Sequence, residues 1–563
     1  MLFRKKLIIF TYLIFLSIIL LVGRLAYLII KNSDMYQTMA LDQQYREREI
    51  KAARGDIVDR NGNILATSIP VCTVFVIPVL VEDADEVTDM LVSELGLDRD
   101  EVYKKVTKNT AVEKIKGNID RDKGIKINTY NIKGVKVDED YKRFYPYNEM
   151  LSKVLGFAGG DNQGVVGIEV KYDEYLKGIN GNIQTKADVS GHELENEKQI
   201  YESPIKGKNL VLTVDYYIQK YITQMAYKVL EEKQAKNVSI IVMNPNNGEI
   251  YGMANVPEYN LNEPFAVAEE GVDPNAIWRN TIINDTYEPG STFKIITATA
   301  ALSEGVVSLE SRFSCPGYKI VEDRRIRCHK VNGHGGESFL EAVMNSCNPV
   351  FITVGLATGK ENMYKYMEKL GFFEKTGIDL PGEANSIMHN LEDIGEVELA
   401  TISFGQSFQI TPLQLLRAVS SIINGGTLIT PHFGLGIEDE NGENITLEYK
   451  TESGVISNDV SEKVKYALEK VVSEGGGLRG QVEGYSIGGK TATSEKLPRG
   501  NGKYISSFIG YAPADNPQVI AMCIIDEPVG IYYGGTIAAP VISNVFDNIL
   551  PYLGIERKEN VEK

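Results

Sequence analysis

The chain has 563 residues, of which 43% are hydrophobic and 24% are charged, and its formal net charge is -17. This is the composition of a globular protein long enough for two or three domains. The acidic balance argues against a nucleic-acid partner, and five cysteines are too few for a disulfide-built scaffold.

An apolar segment near the N-terminus predicts a membrane anchor. Residues 7–30 are almost continuously apolar and follow three cations at positions 4–6. About 20 apolar residues span a bilayer, and Arg24 can extend its charge to the interface. A cleaved signal peptide is the alternative, but the run is too long for one and no clear cleavage site follows it. The basic cluster predicts that residues 1–6 are a cytoplasmic tail and that the bulk of the chain is extracytoplasmic.

The pattern of expected strands, helices and turns changes near residue 206, which predicts a domain boundary there. Residues 31–205 read as a mixed α+β, turn-rich domain with few candidate nucleophiles. Residues 206–555 read as a second domain with strands at both ends and helices between them, and residues 556–563 as a polar tail. The expected elements of the second domain are a strand at 210–214, a helix at 216–233, a hairpin over 238–254 and strands at 485–487, 504–512 and 518–525.

The first candidate catalytic pair is Ser291 and Lys294. At a helix start, a serine three residues before a lysine shares a face with it. A neutral lysine can take the hydroxyl proton, which makes an acyl-transfer nucleophile without a histidine. The spacing alone is weak, because it recurs at Ser203 and Lys206, where Pro204 makes a poor helical nucleophile. An ordinary helix start stays open for Ser291 on this pair alone.

A second candidate element is the Ser-Cys-Asn run of Ser346, Cys347 and Asn348, which follows a helical stretch and precedes Pro349. A hydroxyl and an amide two residues apart can jointly face a cleft, where one relays a proton and the other holds a substrate amide. The alternative is a polar helix cap.

The third candidate element is a lysine followed by a threonine on a strand. Lys375 begins a literal Lys-Thr-Gly run, but this run lies in a turn-rich connection. Lys490 begins Lys-Thr-Ala, after an apolar strand start and before the expected 504–512 strand. We therefore choose Lys490 and interpret Lys375 as a surface loop residue. On a strand, the side chains of Lys490 and Ala492 face one way, and those of Thr491 and Thr493 face the other.

Two cysteines and two histidines fall within 20 residues, at Cys315, Cys328, His329 and His334. Thiolate and imidazole groups at this density can hold structural Zn²⁺. The expected ligands are Cys315, Cys328 and His334, with Asp323 or His329 as the fourth. A Cys315–Cys328 disulfide and two unrelated thiols remain the alternatives.

Taken in order, the three candidate catalytic elements at Ser291, Ser346 and Lys490 resemble those of the class B penicillin-binding proteins. These are the monofunctional transpeptidases that cross-link peptidoglycan and are acylated by β-lactams. The resemblance covers nearly the whole chain. Further matching stretches lie at residues 54–62, 164–169, 287–291, 382–383, 405–406 and 411–414.

The resemblance implies a multi-domain α+β architecture. It consists of the N-terminal transmembrane helix, a pedestal or dimerisation-type domain, and a transpeptidase fold like that of serine β-lactamases, with an antiparallel sheet flanked by helices. Ser291 is then the acylated nucleophile, Lys294 its general base, and Ser346 and Asn348 the proton relay and substrate contact. Lys490, Thr491 and Thr493 line the peptide-binding strand, and the backbone N–H groups of Ser291 and Thr493 form the oxyanion hole.

The chain departs from the family pattern at two positions. Ala492 stands where the family has glycine, and the added methyl group puts the β-lactam profile in doubt rather than the activity. Ser407 follows Gln406 where the family more often has Gln-Gly.

Residues 327–329, 334–336 and 345–348 resemble most the septal and sporulation-type branch. That branch often carries a C-terminal PASTA domain, which we do not expect here because the chain stops soon after an expected helix at 541–553. Elongation-type and division-type roles therefore stay open.

The leading functional hypothesis is a membrane-anchored D,D-transpeptidase with no cofactor in its chemistry. A β-lactamase or D,D-carboxypeptidase, and a β-lactam sensor or non-catalytic scaffold, are the alternatives. The large N-terminal half and the lack of a recognisable deacylating base speak against a β-lactamase. Expected partners are peptidoglycan stem peptides, β-lactams as covalent inhibitors and a membrane glycan polymerase. Two short apolar runs flank Asn61-Gly62, so residues 54–66 read as a hairpin. Whether this hairpin recruits that partner or is only structural stays open.

Overall fold

The computed structural model describes residues 2–33, 35–36, 45–110, 112–186, 200–266, 273–439 and 442–558. The chain forms two compact units, and each unit combines three segments. The smaller unit comprises Met1–Ala53, Ile69–Lys142 and Gly178–Lys206, and the larger comprises Arg54–Ser68, Arg143–Lys177 and Gly207–Lys563. This division is more interleaved than the single expected boundary near residue 206, because two early segments pack with the C-terminal part. The expected domain bounds stay a prediction.

The smaller unit begins with the helix Leu2–Lys31, which contains the expected anchor at 7–30. By length and composition it can cross a membrane, and none of its apolar window is buried against the protein. An exposed apolar helix of this length is typical of a bilayer-spanning segment.

The rest of the smaller unit is mixed α+β, as expected. Its helices are Ala84–Leu95, Arg99–Val106 and Arg121–Thr129, with the 3₁₀ turn Pro78–Leu80. Asp83 and Asp98 cap the first two helices by accepting from backbone N–H groups of the first turn. The strands Ile64–Val76, Glu113–Asp120 and Val135–Phe144 form one sheet region, with residues 64–68 and 143–144 counted in the larger unit. Tyr45–Ile50, Gly181–Lys186 and Ile200–Glu202 form a separate three-stranded sheet.

The larger unit is built on a five-stranded antiparallel sheet. Its strands lie in the order Ile250–Val256, Asn237–Met243, Val519–Asp526, Tyr504–Ala512 and Gly488–Glu495. The inner strands are almost wholly buried, which explains their continuous apolar sequence. The expected strand at 485–487 is wrong, because the last strand begins only at Gly488.

Helices pack against both faces of this sheet and form the body of the unit. The α-helices are Ser152–Leu155, Gly167–Lys171, Asp173–Leu176, Tyr216–Lys233, Pro274–Trp278, Thr281–Asn284, Lys294–Ser303, Phe339–Met344, Asn348–Thr358, Lys360–Lys369, Glu396–Ile402, Pro412–Ile423, Asn458–Ser473, Gly534–Ile537 and Ala539–Tyr552. The 3₁₀ turns are Gly290–Phe293, Leu391–Asp393 and Leu478–Gly480. The expected helix at 216–233 is confirmed, and Asp215 caps it.

Shorter strands complete the larger unit. Ile57–Val58, Asn209–Leu212, Gly434–Glu438 and Asn444–Thr446 lie side by side in one sheet. Three two-stranded pairs are Arg312–Cys315 with Gly335–Ser338, Tyr318–Val321 with Arg324–Arg327, and Thr427–Leu428 with Glu452–Ser453.

Arg54, which begins the matching stretch at residues 54–62, is the centre of a buried charge network within the larger unit. The side chains of Arg54 and Glu169 are both 0% exposed, and Arg54 Nε donates to Glu169 Oε2 at 2.5 Å. Arg54 also pairs with Asp173 at 2.6 Å, and Arg143 donates to the second oxygen of Glu169 at 2.6 Å. A buried pair that loses one partner leaves an uncompensated charge, so Arg54 has a structural role in this unit.

Candidate active site

Ser291 lies on a 3₁₀ turn, Gly290–Phe293, and the α-helix begins at Lys294. Residues three apart are eclipsed on a 3₁₀ helix, so Ser291 and Lys294 share a face, as the sequence predicts. Gly290 must be glycine, because its φ is +56° and a Cβ there would lie 2.4 Å from Ser494 Oγ. The Gly290 N–H also donates to Gly405 O at 2.9 Å, which braces the turn.

Lys294 is the centre of the site. Its Nζ donates to Ser346 O at 2.6 Å, to Ser346 Oγ at 3.1 Å and to Asn348 Oδ1 at 2.7 Å. The residue is 1% exposed. Burial lowers the pKa of Lys294 to about 7, although Cys347 and other acidic groups oppose that shift. The amine is therefore available in its neutral form close to neutral pH.

Ser346 and Asn348 reach Lys294 because a tight turn joins two helices. Phe339–Met344 ends just before this turn, and Asn348–Thr358 begins at Asn348 with Pro349 in its first turn. Ser346 has a φ of +52°, which turns the backbone so that its carbonyl and hydroxyl both face Lys294. Asn348 Nδ2 donates to Arg327 O at 3.2 Å, which fixes the orientation of the amide.

Lys490 lies on the edge strand Gly488–Glu495 and is 1% exposed. Burial, together with the positive charge of Lys294, lowers the pKa of Lys490 well below its ordinary value. Both lysines border one enclosed space of about 10 Å³ with apolar walls. Lys375 is exposed in a loop, as expected. Thr376 beside it donates its N–H and hydroxyl to Glu383 at 2.7 and 2.6 Å, which is a turn-stabilising role.

The edge strand alternates as the sequence predicts. Lys490 and Ala492 are buried, whereas Thr491 and Thr493 are partly exposed. Thr493 Oγ1 accepts a hydrogen bond from the Gly534 N–H at 3.0 Å. The strand therefore offers threonine side chains and one free edge to a ligand.

Comparisons with known proteins agree with this geometry. The family described as penicillin-binding protein transpeptidase domain matches residues 238–547, and the penicillin-binding protein dimerisation domain matches residues 49–212. The chain belongs to the penicillin-binding proteins.

Two curated relatives and one solved structure illustrate the match. The chain is 40% identical over 551 residues to stage V sporulation protein D of Bacillus subtilis, covering 96% of this chain and 84% of the relative. It is 27% identical to the peptidoglycan D,D-transpeptidase FtsI of Escherichia coli, covering 96% and 91%. Penicillin-binding protein 2X of Streptococcus thermophilus shares the fold, with a TM-score of 0.76, 22% identity, and coverage of 91% and 81%.

A group of thiols and one imidazole lies next to the active site of this penicillin-binding protein. The ligand atoms of Cys315, Cys328, His334 and Cys347 all lie within 4.8 Å of one another. The expectation that Asp323 is the fourth ligand is wrong, because its side chain is 81% exposed and lies beside Arg324. Its place is taken by Cys347, the residue between Ser346 and Asn348.

His329, the other expected fourth ligand, lies at the edge of this group. Its Nδ1 is 3.9 Å from Cys328 Sγ, compared with 3.7 Å for Nδ1 of His334. All five cysteines are free thiols in the structure. A hydrogen bond from the Cys347 thiol lowers the pKa of Cys328.

The sequence did not predict the contacts of Glu288, which lies just before the 3₁₀ turn Gly290–Phe293, called here the nucleophile turn. Glu288, three residues before Ser291, accepts from the Ser407 N–H at 2.8 Å and from Arg499 at 2.6 Å. Arg499 lies in the loop after the Lys490 strand, so the Glu288–Arg499 bridge ties that loop to the nucleophile turn. Ser407 has a φ of +69°, a conformation that favours glycine and so agrees with the Gln-Gly that the family resemblance implies here. The positive φ of Ser407 could have been inferred from that substitution.

Proposed function

We propose that the chain is a membrane-anchored serine D,D-transpeptidase that cross-links peptidoglycan stem peptides through an acyl-enzyme on Ser291. The observation that carries the proposal is the buried amine of Lys294, which follows Ser291 by one turn and hydrogen-bonds both Ser346 and Asn348. This arrangement supplies a nucleophile, a base and a proton path without a histidine.

In the proposed reaction, the Ser291 hydroxyl oxygen attacks the carbonyl carbon of a D,D-peptide bond while its proton moves to the neutral amine of Lys294. The backbone N–H groups of Ser291 and Thr493 hold the oxyanion. The C–N bond then breaks, and the leaving amine takes a proton relayed through Ser346. An amine of a second stem peptide then attacks the ester carbonyl carbon and gives up a proton to Lys294. The C–O bond to Ser291 breaks, and the Ser291 oxygen takes that proton back, which forms the cross-link and returns Ser291 to its free state.

Lys490 completes this scheme as the cation for the substrate carboxylate. Two buried ammonium groups so close together disfavour double protonation, and a bound carboxylate favours the charge on Lys490. Lys294 then stays neutral and able to act as the base. Thr491 and Thr493 lie on an edge strand, where an extended peptide can add by backbone hydrogen bonds. Asn348 holds the substrate amide.

The activity is tested with purified full-length chain, a glycan polymer bearing stem peptides and mass analysis of the products. The expected result is cross-linked dimers with wild type and none with Ser291→Ala. A hydrolysed donor without dimers would instead support a D,D-carboxypeptidase, and rapid turnover of penicillin a β-lactamase. Stable acylation with neither product would support a β-lactam sensor or a scaffold.

The cellular role is proposed as division or spore cortex and septal wall synthesis. It rests on the 40% identity to stage V sporulation protein D. The helix Leu2–Lys31 would place residues 1–6 in the cytoplasm and the rest outside, because three cations precede its apolar run. A membrane glycan polymerase is the proposed partner, since a transpeptidase cross-links strands that another enzyme must polymerise. Co-purification with such a polymerase from membranes tests the partnership.

We further infer that Cys315, Cys328, His334 and Cys347 hold a structural Zn²⁺. Three sulfurs and one imidazole are a ligand set that zinc accepts, and tetrahedral Zn–S bonds place ligand atoms roughly 3.7 Å apart. The 3.7 Å between Cys328 Sγ and His334 Nδ1 fits this spacing. Because Cys347 immediately precedes Asn348, such an ion would hold the wall that presents Ser346 and Asn348 to Lys294.

Metal analysis of the purified chain tests the zinc proposal. One zinc per chain is expected, and Cys315→Ser should lose it and lower the melting temperature. Cys72→Ser, a change of a buried cysteine outside the group, is the matched control and should retain it. Absence of zinc, together with thiols that react freely with a thiol reagent, would overturn the proposal.

A further inference from the structure

A second cleft in the larger unit shares no lining residue with the Ser291 site. It encloses about 520 Å³, a volume in the range of small-molecule pockets. Its walls come from three parts of the sequence. They are the 152–170 region, Tyr259 with residues 275–284, and the turn at 380–382.

Trp278 is the largest apolar side chain that lines the cleft. The Trp278 ring lies edge-on to Phe157 and Phe265, with ring centroids 5.0 and 5.5 Å apart. Its Nε1 donates to Pro264 O at 3.2 Å, so the indole is held in one orientation. Val165 and Pro381 also line the cleft.

Several polar side chains of the wall are already committed to the protein. Asn284 Nδ2 donates to Gly382 O at 2.6 Å, and Asn280 Oδ1 accepts from the Ile282 N–H at 3.1 Å. Arg279 is paired with Asp285.

Lys153 has donor capacity to spare. Its ammonium group has three donors, and it donates to Asn255 Oδ1 at 3.0 Å. Among the described residues, no carboxylate lies within ion-pair distance of Lys153 Nζ.

The carboxyl group of Glu258 interacts with Lys153 without coming within ion-pair distance of it, and burial disfavours the charged form of both groups. Burial raises the pKa of Glu258 to about 8, so that carboxyl is mostly protonated at pH 7, and its buried Oε2 has no hydrogen-bond partner. Burial lowers the pKa of Lys153 to about 8, so the amine is still mostly charged at pH 7. Lys153 is thus a partly buried amine on the cleft wall with unused donor capacity, and an anion bound there would stabilise its charged form.

We propose that this cleft binds a small carboxylate with an apolar body. The carboxylate would lie on the Lys153 ammonium group, and the apolar body would lie against Trp278 and Pro381. Two sources have this chemistry, namely the C-terminus of an uncross-linked stem peptide and the carboxylate of a β-lactam. That the ligand is a stem peptide rests on the proposed function. The existence of the carboxylate-binding cleft does not rest on it.

Trp278 is the only tryptophan in the chain, so its fluorescence reports directly on this cleft. The experiment uses full-length Ser291→Ala chain in detergent, which cannot consume the probe by acyl transfer. It is titrated with N-acetyl-D-alanyl-D-alanine and, separately, with the C-terminal amide of the same dipeptide. We expect a saturable change with the acid and none with the amide. Adding Lys153→Met should raise the dissociation constant of the acid roughly tenfold or more. Adding Lys375→Met, which removes an exposed loop lysine, should leave that dissociation constant unchanged.

Equal responses to acid and amide, no saturable response, or an unchanged dissociation constant in a folded Lys153→Met chain would overturn the proposal. Folding of that variant is judged by penicillin acylation with Ser291 restored. If it does not fold, acid and amide are compared in a chain that also carries Lys490→Met, so that a carboxylate held at the Ser291 site cannot account for a difference between them. A parallel titration uses benzylpenicilloate. If benzylpenicilloate binds in a way that depends on Lys153 and the dipeptide does not bind, the carboxylate site is supported and its ligand is derived from a β-lactam. Failure of the proposed function would appear separately, as loss of Ser291 acylation.

Discussion

Lys294 Nζ lies 2.7 Å from Asn348 Oδ1, although the two residues are 54 positions apart in the chain. One buried amine thus joins the nucleophile turn to the Ser346–Asn348 turn. Among the described residues, its hydrogen-bond partners are Ser346 and Asn348 on the facing turn, and its burial favours the neutral amine that a general base requires.

Replacing Lys294 by methionine should nearly abolish acylation while the fold is retained. Methionine fills a similar volume, and general base catalysis is worth roughly 10²- to 10⁴-fold. We expect the second-order rate of penicillin acylation to fall by about that factor. Stopped-flow or gel fluorescence with a labelled penicillin measures it, and Lys375→Met is the control. A loss of less than about fivefold would mean that another group acts as the base.

The pH dependence of acylation should follow Lys294. Its pKa is lowered to about 7 by burial, and only the neutral amine accepts a proton. The rate should therefore be low at about pH 5.5, rise through about pH 7 and level off above about pH 8.5. A profile measured by labelled-penicillin acylation tests this. A rate that stays flat across this range, or falls with rising pH, would contradict a Lys294 base.

Replacing Ala492 by glycine should change inhibitor preference without removing activity. The Ala492 methyl is buried on the Lys490 face of the strand, and a Cβ built on Gly290 would lie 3.8 Å from it. Its loss opens space beside the nucleophile turn and costs about 1 kcal/mol of strand stability. We expect Ser291 to remain acylated, with relative rates altered among β-lactams of different size. Identical rates for all of them would show that the methyl does not shape the cleft.

Replacing Arg54 by methionine should destabilise the larger unit by about 3–5 kcal/mol. The change leaves Glu169, which is 0% exposed, without its closest cation. Arg60→Met is the matched control, because Arg60 lies 31% exposed beside Glu249 at 3.3 Å and such pairs contribute about 1 kcal/mol or less. Thermal unfolding of both variants measures the difference. Equal melting temperatures would contradict a structural role for the Arg54 network.

Local sequence patterns predicted the elements that carry the site. The apolar run at 7–30, the helix at 216–233 and the alternation from Lys490 to Thr493 each depend on neighbouring residues, so periodicity was sufficient. The choice of Lys490 over Lys375 also depended on local context, since only Lys490 stands between strand signals.

Contacts between distant residues could not be predicted in this way. Cys347 joins Cys328 and His334 only because Ser346 adopts a φ of +52° between two helices. The Glu288–Arg499 bridge spans 211 positions and depends on how the strand loop folds back. The interleaving of the two units is likewise a property of packing, not of composition.

We propose above that Ser291 forms the acyl-enzyme with Lys294 as its base. Peptide mapping by mass spectrometry after exposure to penicillin tests it most directly. We predict one penicilloyl adduct, on the peptide that contains Ser291, and none in the Ser291→Ala chain. An adduct on the peptide that contains Ser203, or one that persists in Ser291→Ala, would contradict the assignment.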